Sequence, residues 1–512
     1  MKTEVVVIGG GATGAGVLRD LTLRGIEAIL LEKNELTSGT SGRNHGLLHS
    51  GARYAVNDPD SARECILENW ILKKIAPPCV EETGGLFLSL PQDPPNYPEE
   101  LLRACEKVGL PAKEIPVAEV LQKEPSLSPH IKRALAVPDG SIDPFRLIRS
   151  NVEESERLGT KVFPHREVVA ILSESGSIKG LRAIDPRTGE DFQISCRFIV
   201  NAAGVWAGRI ARMAGASLEV VFSKGSLVVL NHRLVNSVIN RCRPPSSGDI
   251  LVPHGPALII GTTSQTTEEI EDPSADEAEV DLLLSEGEKM LPQLSSTRVI
   301  RAYAGVRPLM GAREANEDNR KITRDFLLLD HGETDGIKGL FSIVGGKLTT
   351  YRLMAERTVD AICKEMGNKS FCLTAEKILP FPKEYTFHDL GSRLDRFSKS
   401  FRETEQILCE CELVSREEIL QEIKNLSNLS LKEVQERTRA GMGPCQGGFC
   451  SSRLTALLLE KGKIPPGTSL AVLKRFLEER WKGIRPVLWG PQLREEQLIQ
   501  ALYTEFFNLD HF

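Results

Sequence analysis

Residues 3–33 read TEVVVIGGGATGAGVLRDLTLRGIEAILLEK, and this stretch decides the fold of the N-terminal part of the chain. A run of apolar β-branched residues meets a row of glycines, a helical pattern follows, and a second apolar run ends in Glu32. The spacing G-x-G-x-x-G is made by Gly9, Gly11 and Gly14. Strand, glycine turn, helix, strand and acid in this order are typical of a dinucleotide-binding unit.

Each glycine of this turn has a physical task. The first permits a tight turn, the second lets the backbone approach a pyrophosphate, and the third lets helix and strand pack closely. The start of the helix offers N–H groups and the positive end of its dipole to phosphates. The carboxylate of Glu32 can accept hydrogen bonds from ribose hydroxyls and would repel a 2′-phosphate, so the sequence disfavours NADP.

Later segments favour FAD over NAD. Residues 37–45 read TSGTSGRNH and supply small residues and donors along which the longer FAD molecule could extend. The segment NAAGVW at 201–206 follows a buried-looking strand, and a further glycine turn precedes Lys347. If a helix starts near Leu348, its N–H groups can stabilise negative charge on the reduced flavin.

Length and composition limit the class of protein. A chain of 512 residues suggests two or three domains. The net charge of -6 gives no basic surface for nucleic acid. The apolar run that begins at Val5 leaves no room for a signal peptide, and no stretch reaches the roughly 18 apolar residues of a membrane span. We therefore expect a cytoplasmic protein that meets a membrane only peripherally.

Four of the 11 cysteines are paired near the C-terminus, in Cys409-Glu-Cys411 and Cys445-Gln-Gly-Gly-Phe-Cys450. An odd number of cysteines without an export signal argues for reduced thiols or metal ligands rather than disulfides. Two close pairs of thiolates can enclose one soft metal centre. The short first spacing and the glycines of the second favour an iron–sulfur cluster, with zinc or empty thiols as alternatives.

Eight stretches together resemble the FAD-dependent glycerol-3-phosphate dehydrogenases, within the larger class of D-amino-acid-oxidase-like flavoproteins. They cover most of residues 1–360 and read VVIGGGATGAG, SGTSGRNHGLLHSGARY, VPDGSIDPFRL, VNAAGVW, KGSLVVL, IIGTTS, YAGVRPL and GGKLTTYR. The continuation into a cysteine-bearing domain resembles the large catalytic subunit of the anaerobic type. The cysteine spacing is similar to that of bacterioferritin-associated-ferredoxin-like domains, which bind a [2Fe-2S] cluster.

The resemblance implies noncovalent FAD and oxidation of sn-glycerol 3-phosphate to dihydroxyacetone phosphate. It implies a [2Fe-2S] cluster on Cys409, Cys411, Cys445 and Cys450. Electrons would pass through companion subunits toward a quinone, with the chain on the cytoplasmic face of the cell membrane. Together with the motifs, the FAD site is expected to include Gly9, Gly11, Ala12, Thr13, Gly14, Glu32, Lys33, Thr40, Ser41, Asn44, His45, Gly46, Leu48, Val168, Ala203, Gly204, Trp206, Gly346, Lys347, Leu348 and Thr349.

The substrate needs fixed cations, because a glycerol phosphate carries about two negative charges near neutral pH. Arginine's planar fork suits phosphate well. By resemblance, the positions that hold the substrate are Arg53, Tyr54, Arg307, Arg324 and Lys347. Arg307 and Lys347 lie among Gly, Pro and apolar neighbours, which favours a site over a solvated surface charge.

The reaction also needs a base for the hydroxyl proton. His49 is the first candidate because it lies in the flavin-side loop, and Lys347 is the second if its surroundings keep it neutral. With Arg307, these residues are the catalytic candidates. The aerobic relatives have a histidine after the Lys-Gly-Ser of the central strand, whereas Leu227 follows it here, so no proton-handling role is transferred to that position.

The predicted fold is α/β. A discontinuous FAD-binding Rossmann-like domain takes residues 1–60, 145–220 and 320–370, and an α+β substrate domain with an antiparallel sheet takes 61–144 and 221–319. A linker at 371–405, a small helical iron–sulfur domain at 406–460 and a helical tail at 461–512 complete the chain.

Two other functions remain possible from the sequence alone. An amine or imino-acid dehydrogenase of the same fold would prefer one arginine for a carboxylate, and the several basic candidates here favour phosphate. A non-catalytic electron-transfer subunit with FAD as a structural group is disfavoured by the intact loop from His49 to Tyr54 and by Arg307.

Overall fold

A six-stranded sheet carries the N-terminal glycine turn. The structure, a computed structural model, describes residues 1–310, 325–381, 390–400, 406–426 and 428–509. The strands of this sheet are β1 (Val5–Ile8), β2 (Ala28–Leu31), β9 (Lys161–Phe163), β13 (Phe198–Asn201), β20 (Phe326–Asp330) and β21 (Leu340–Gly345). In the order β20-β21-β13-β1-β2-β9, every neighbouring pair is parallel except β20 with β21.

Helices cover this sheet, so its central strands are apolar throughout. Every residue of β1 is buried, as expected for a parallel strand that has no solvent face. Three helices pack against one another on the sheet, α1 (Ala12–Leu23), α5 (Pro144–Arg157) and α9 (Tyr351–Met366). Helix α5 starts at a favourable cap, because the Asp143 side chain accepts a hydrogen bond from the Arg146 N–H and Pro144 occupies the first turn.

A second, nine-stranded sheet lies beside the first. Its strands are β5 (Gly85–Ser89), β6 (Lys113–Ile115), β7 (Arg133–Val137), β14 (Val221–Leu230), β15 (Val238–Arg241), β16 (Ile250–His254), β17 (Ala257–Gly261), β18 (Gln265–Thr266) and β19 (Val299–Leu309). The pairs are antiparallel except β5 with β15. Helix α7 (Glu277–Met290) packs on this sheet and begins at a capping box formed by Asp276 and Glu279.

Smaller elements complete the two large units. Short sheets are formed by β10 (Glu167–Glu174), β11 (Ser177–Ile184) and β12 (Asp191–Ser195), and by β3 (Leu47–Leu48), β4 (Val80–Glu81) and β8 (Gly140–Ile142). The remaining helices before residue 370 are α2 (Pro59–Ile75), α3 (Tyr97–Lys107), α4 (Val117–Lys123), α6 (Ala207–Met213) and α8 (His331–Thr334).

The C-terminal part is a hairpin followed by helices. Its elements are β22 (Ile407–Cys409), β23 (Val414–Ser415), α11 (Arg416–Glu422), α12 (Leu431–Thr438), α13 (Ser451–Glu460), α14 (Ser469–Ile484) and α15 (Gly490–Ala501). One apolar core joins the cysteine-bearing segment to the last helices, because Leu454 and Leu457 pack with Leu477 and Ile499. Residues after 460 therefore share the core of the cysteine-bearing segment rather than forming a separate tail.

The predicted linker at 371–405 differs from the structure in one respect. Helix α10 (Leu390–Ser400) lies within it, and its apolar residues Leu390, Leu394 and Phe397 recur at helical spacing inside an otherwise polar segment. The helix expected near Leu348 is confirmed, because a 3-10 turn at Leu348–Thr350 continues into α9. In the ranges given above, no helix is both long enough and apolar enough to cross a lipid bilayer.

Candidate functional site

A large cavity of about 970 Å³ lies where the two large sheets meet. The glycine turn after β1 and the end of β13 form one wall, and β14, β19 and the loop that precedes β3 form another. The carboxyl ends of parallel strands are the usual site of dinucleotide binding in such sheets. The cavity is therefore in the position that the sequence predicts for a dinucleotide, with room beyond it for a second ligand.

The glycine turn is packed so tightly that side chains are excluded. Gly9 has a φ of +114°, and a Cβ atom on it would lie 2.5 Å from the carbonyl oxygen of Ala202. A Cβ atom on Gly14 would lie 1.9 Å from the carbonyl oxygen of Gly9. The first helical N–H, that of Ala12, is held by the Ser41 hydroxyl at 3.0 Å. Gly11, Ala12 and Thr13 nevertheless line the cavity, which is where the start of a helix can meet a pyrophosphate.

A Gly14→Ala variant is expected to lose FAD and to unfold at a lower temperature. The clashing atom is backbone, so α1 must move away from β1, at a cost of about 1–3 kcal/mol. The ratio of flavin to protein absorbance and a thermal melt measure the two effects. Thr22→Ala in the same helix serves as the control and should keep the flavin. Full flavin content in Gly14→Ala would contradict the packing argument.

Glu32 is fixed at the end of β2 by backbone groups. Its carboxylate accepts hydrogen bonds from the Gly10 N–H at 2.7 Å and from the Asn34 N–H at 2.8 Å. Burial raises the pKa of this carboxyl, and the two backbone donors oppose the rise. The oxygens keep lone pairs for further donors, which fits a ribose.

Most of the predicted cofactor residues line this cavity. They are Gly9, Gly11, Ala12, Thr13, Glu32, Lys33, Thr40, Ser41, Asn44, His45, Val168, Ala203, Gly204, Trp206, Gly346, Lys347 and Leu348. The turn at the end of β21 brings the last three to the end of the cavity opposite Glu32, at the start of α9.

Gly14, Gly46, Leu48 and Thr349 do not line the cavity. Gly14 packs α1 on the turn, and Gly46 lies against the carbonyl oxygen of Ile142. Side chains alternate along β3, so Leu47 faces the cavity and Leu48 is buried on the other side. The Thr349 hydroxyl accepts a hydrogen bond from the His49 N–H at 3.2 Å and so supports the loop from behind.

Arg307 projects from β19 into the cavity. Its guanidinium donates to the Thr262 hydroxyl at 2.6 Å and lies against the backbone of Gly225 on the neighbouring strand. A Cβ atom on Gly225 would lie 2.2 Å from Arg307 Nη2, so any side chain at this position would displace the guanidinium. The strand pairing thus fixes a cation at the wall of the cavity.

Arg53 reaches the same cavity from the turn after His49. Its Nη2 donates to the buried carboxylate of Asp249 at 3.1 Å. Its Nη1 is buried and has no hydrogen-bond partner among the residues described. A buried cationic donor without an acceptor fits a site for an anion. Arg324, the remaining predicted arginine, lies outside the described residues.

The predicted base candidates are grouped near these arginines. The ring of His49 lies 5.3 Å from that of Tyr54 and 6.0 Å from that of His45, measured between centroids. The Lys347 ammonium lies 4.9 Å from the centre of the Tyr54 ring. The structure therefore brings His49, Tyr54 and Lys347 together.

His45 is held as a neutral ring. Burial, Arg307 and Arg53 together lower its pKa to about 3. Its Nδ1 accepts a hydrogen bond from the Leu47 N–H at 3.2 Å, so the proton of the neutral ring is on Nε2. His45 can thus donate a hydrogen bond to a ligand, but it is poorly placed to take a proton.

Several cavity residues were not predicted. They include Arg43, Asn57, Arg166, Arg209, Ser246 and Thr262. Arg43 directly precedes Asn44 in a predicted loop, so its position in sequence was a usable signal. Thr262 and Ser246 come from distant strands and loops, and only the folded sheet brings them close. At the rim, Glu271 accepts hydrogen bonds from both Lys33 and Trp206.

The four late cysteines line one small cavity of about 300 Å³ in the C-terminal part. Cys411 Sγ lies 3.7 Å from Cys445 Sγ, and Cys409 contacts Cys450. The hydrogen bond from Cys411 lowers the pKa of the Cys445 thiol to about 6, which favours a thiolate there. The fold thus brings the two cysteine pairs together at one cavity.

The surroundings of these thiols fit an iron–sulfur cluster. The Gly441 N–H donates to Cys409 Sγ at 3.4 Å, which is the kind of backbone donor that cluster sulfurs use. A Cβ atom on Gly443 would lie 2.4 Å from the Cβ of Cys411, so the loop can approach the cysteines only with glycine there. No acidic or histidine ligand is needed to complete a set of four thiolates.

Comparison with known proteins agrees with both sites. A family described as FAD dependent oxidoreductase matches residues 4–352, and a family described as BFD-like [2Fe-2S] binding domain matches residues 407–460. These matches confirm the predicted FAD and [2Fe-2S] cofactors.

Relatives of known name match over the whole chain. In Escherichia coli (strain K12), a named subunit of the anaerobic glycerol-3-phosphate dehydrogenase is 42% identical to it, over 99% of this chain and 97% of the relative. The corresponding subunit of Haloferax volcanii is 41% identical, over 99% of this chain and 91% of the relative. The glycerol-3-phosphate dehydrogenase of Bacillus halodurans complexed with FAD shares the fold, with a TM-score of 0.67, 21% identity and 96% of each chain covered. The chain therefore belongs to the FAD-dependent oxidoreductases and, within them, to the family of these anaerobic glycerol-3-phosphate dehydrogenase subunits.

Proposed function

We propose that this chain oxidises sn-glycerol 3-phosphate to dihydroxyacetone phosphate. The proposal rests on one observation: two arginines line the same cavity as the glycine turn. Arg53 and Arg307 both line this cavity, and both lower the pKa of His45, which lines it too. Two fixed cations match the charge of a phosphate monoester better than that of a single carboxylate.

The two arginines have different roles in this proposal. Arg53 is held by Asp249 on one side and directs its buried Nη1 toward the ester, so it contributes a preoriented donor. Arg307 is held by Thr262 and by the backbone of Gly225, which limits its movement when the ligand leaves. Arg324 is kept as a third candidate. Because these contacts exist before binding, little side-chain entropy is lost on binding.

Oxidation at C2 removes a hydride and a hydroxyl proton together. FAD, when bound, supplies the hydride acceptor. His49 is the proposed base, because it lies beside Tyr54 and its backbone is fixed by Thr349. Lys347 is the second candidate, and Tyr54 lies between the two groups. We propose that His45, with its proton on Nε2, donates a hydrogen bond to the substrate or cofactor. It does not act as the base in the reaction.

The assignment of the FAD site rests on the lining of the cavity. Glu32 and Lys33 would hold the ribose end, and the turn from Gly9 to Thr13 would hold the pyrophosphate. Thr40, Ser41, Asn44 and Gly346 to Leu348 would follow the flavin. Lys33 and Trp206 would cover the entrance, since both are tied to Glu271.

The proposal includes a route by which electrons leave the reduced flavin. A [2Fe-2S] cluster on the four late cysteines would accept single electrons and pass them to companion subunits and a quinone. The relatives are named as one subunit of their dehydrogenase, which supports the existence of such partners. Attachment to the cytoplasmic face of a membrane would then occur through those partners.

Anaerobic titration of the purified chain with sn-glycerol 3-phosphate tests the proposed reaction. Full bleaching of the flavin should take about one equivalent of ester for each FAD in a chain without its cluster, and about one and a half with the cluster, because the cluster accepts one further electron. Glycerol, which lacks the phosphate, and proline, a substrate of the alternative class, are the controls. An oxidised flavin after excess ester, or faster bleaching by proline, would exclude the proposal.

A further inference from the structure

Strand β19 lines the large cavity near one end and, near its other end, contacts the loop that carries Cys445. Near its C-terminal end, Gly305 and Arg307 line the large cavity, whereas Arg301 lies near its N-terminal end. These side chains lie on one face, because residues alternate along a strand. At about 3.3 Å per residue, the step from Gly305 to Arg301 covers about 13 Å.

Arg301 meets the cysteine loop of the C-terminal part. Its Nη1 donates to the Oε1 of Gln446 at 3.1 Å, and Gln446 directly follows Cys445. The amide of Gln446 also donates to the carbonyl oxygens of Met442 and Gly443, at 2.9 and 3.0 Å. One side chain therefore holds the loop before Cys445 together and joins it to β19.

The face of β19 between Arg301 and the cavity is also in contact with the cofactor loop. The Tyr303 hydroxyl donates to the carbonyl oxygen of Asn44 at 2.8 Å, and Asn44 lines the large cavity. The guanidinium of Arg301 lies 6.0 Å from the centre of the Tyr303 ring. The contacts are thus continuous from the predicted flavin site to the loop that carries Cys445.

Among the described residues, Arg301 differs from the other arginines at this interface because no carboxylate lies within ion-pair distance of it, and Glu479 acts on its charge only from further away. Arg298 pairs with Glu495 at 2.8 Å, and Arg480 pairs with Glu496 at 2.5 Å. In the part of the chain that the structure describes, Arg301 makes no ion pair, and its Nε is buried without a hydrogen-bond partner. A largely buried cation whose acidic neighbour lies beyond ion-pair distance is costly, so a further anion is expected beside it.

We propose that Arg301 adds to the positive charge around the iron–sulfur cluster, to which Arg453 of the cluster cavity also contributes, and that it holds the Cys445 loop against β19 and raises the reduction potential of the cluster. A cluster with four thiolates and two sulfides is net negative, because these charges exceed those of two ferric ions. Reduction adds one more negative charge, and a nearby cation stabilises the reduced state more than the oxidised one. The inference requires a bound cluster but does not depend on the identity of the substrate.

Gly483 offers a way to move Arg301 without removing its charge. A Cβ atom on Gly483 would lie 2.8 Å from Arg301 Nη2 and 2.9 Å from Nε. The guanidinium is the mobile end of a long side chain, so it should yield before helix α14 does. Alanine also favours the helix more than glycine does. Gly483→Ala should therefore displace Arg301 in a folded protein.

Dithionite titration of the holoprotein, followed by electron paramagnetic resonance of the reduced cluster, tests the proposal without any substrate. In Arg301→Gln, the ratio of reduced to oxidised cluster at a fixed potential should fall on the order of tenfold, equivalent to about 59 mV for one electron. Arg301→Lys should keep most of the potential, and Gly483→Ala should shift it in the same direction as Arg301→Gln. Arg475→Gln is the matched control, since Arg475 lies on the same helix α14 but is exposed, and the potential should not change in that variant.

Hydrogen exchange of the chain without its cluster gives a second measurement. Amides of residues 441–450 should exchange faster in Arg301→Gln than in Arg475→Gln, because the anchor at Gln446 is lost. An unchanged potential in Arg301→Gln with full cluster content overturns the proposal. If Arg301→Gln takes up no cluster, Gly483→Ala decides, and an unchanged potential in that variant overturns it equally.

Discussion

An Arg307→Ala variant is expected to lower kcat/KM for sn-glycerol 3-phosphate by about 10²–10³-fold while FAD stays bound. Removing one member of a buried charged contact costs about 2–5 kcal/mol, and each 1.4 kcal/mol or so is a factor of ten. The phosphate keeps its charge throughout the reaction, so the contact is equally strong in the bound substrate and in the transition state. The effect should therefore fall mainly on KM. Steady-state kinetics with a dye acceptor, together with the flavin absorbance, measure both quantities.

The comparison variant for this experiment is Arg133→Ala. Arg133 lies on β7 of the same antiparallel sheet and pairs with Glu114 at 2.7 Å, outside the lining of the cavity. It should leave KM unchanged, which separates loss of the phosphate contact from a general loss of sheet stability. Wild-type kinetics in Arg307→Ala would remove Arg307 from the site. A loss of FAD in that variant would instead place Arg307 in the cofactor site.

The features that the sequence predicted well are those set by neighbours in the chain. The glycine turn, the strand before it and Glu32 after β2 lie within 33 residues, and each has a steric or electrostatic reason that is visible in the sequence. The helix after Gly346 was predicted for the same reason. The four cysteines were recognised by their spacing, although they meet only because the hairpin and α13 pack in one core.

The features that the sequence did not predict depend on contacts between distant segments. Asp249 fixes Arg53 from 196 residues away, and nothing near Arg53 indicates that partner. Gln446 meets Arg301 across 145 residues. Leu48 was expected in the cofactor site because its loop was, but the alternation along β3 turns it away. Helix α10 was missed although Leu390, Leu394 and Phe397 recur at helical spacing, because the polar and proline-containing residues around them are typical of a linker.

A Cys445→Ser variant is expected to lose the iron–sulfur signal while keeping a flavin that the substrate can reduce. The cluster needs four soft ligands, and a serine hydroxyl is a poor replacement because it stays protonated where a thiol ionises. The electron paramagnetic resonance signal and the iron content should fall to background. Cys372→Ser is the matched control, because Cys372 is a partly exposed cysteine outside the cluster cavity.

Loss of the cluster and reduction of the flavin should be separable, because the cysteine loops and the glycine turn are supported by different hydrophobic cores. The glycine turn is supported by Val5, Val7 and Leu18, whereas the cysteine loops are supported by Leu454, Leu477 and Ile499. Substitutions in cores that share no residues should have additive effects on the free energy of unfolding, so a change in one core should not alter the other. Substrate should therefore bleach the flavin of Cys445→Ser at the wild-type rate, while transfer to the companion subunits stops. If bleaching itself slows, the C-terminal part must influence the flavin site through β19, the strand that contacts both.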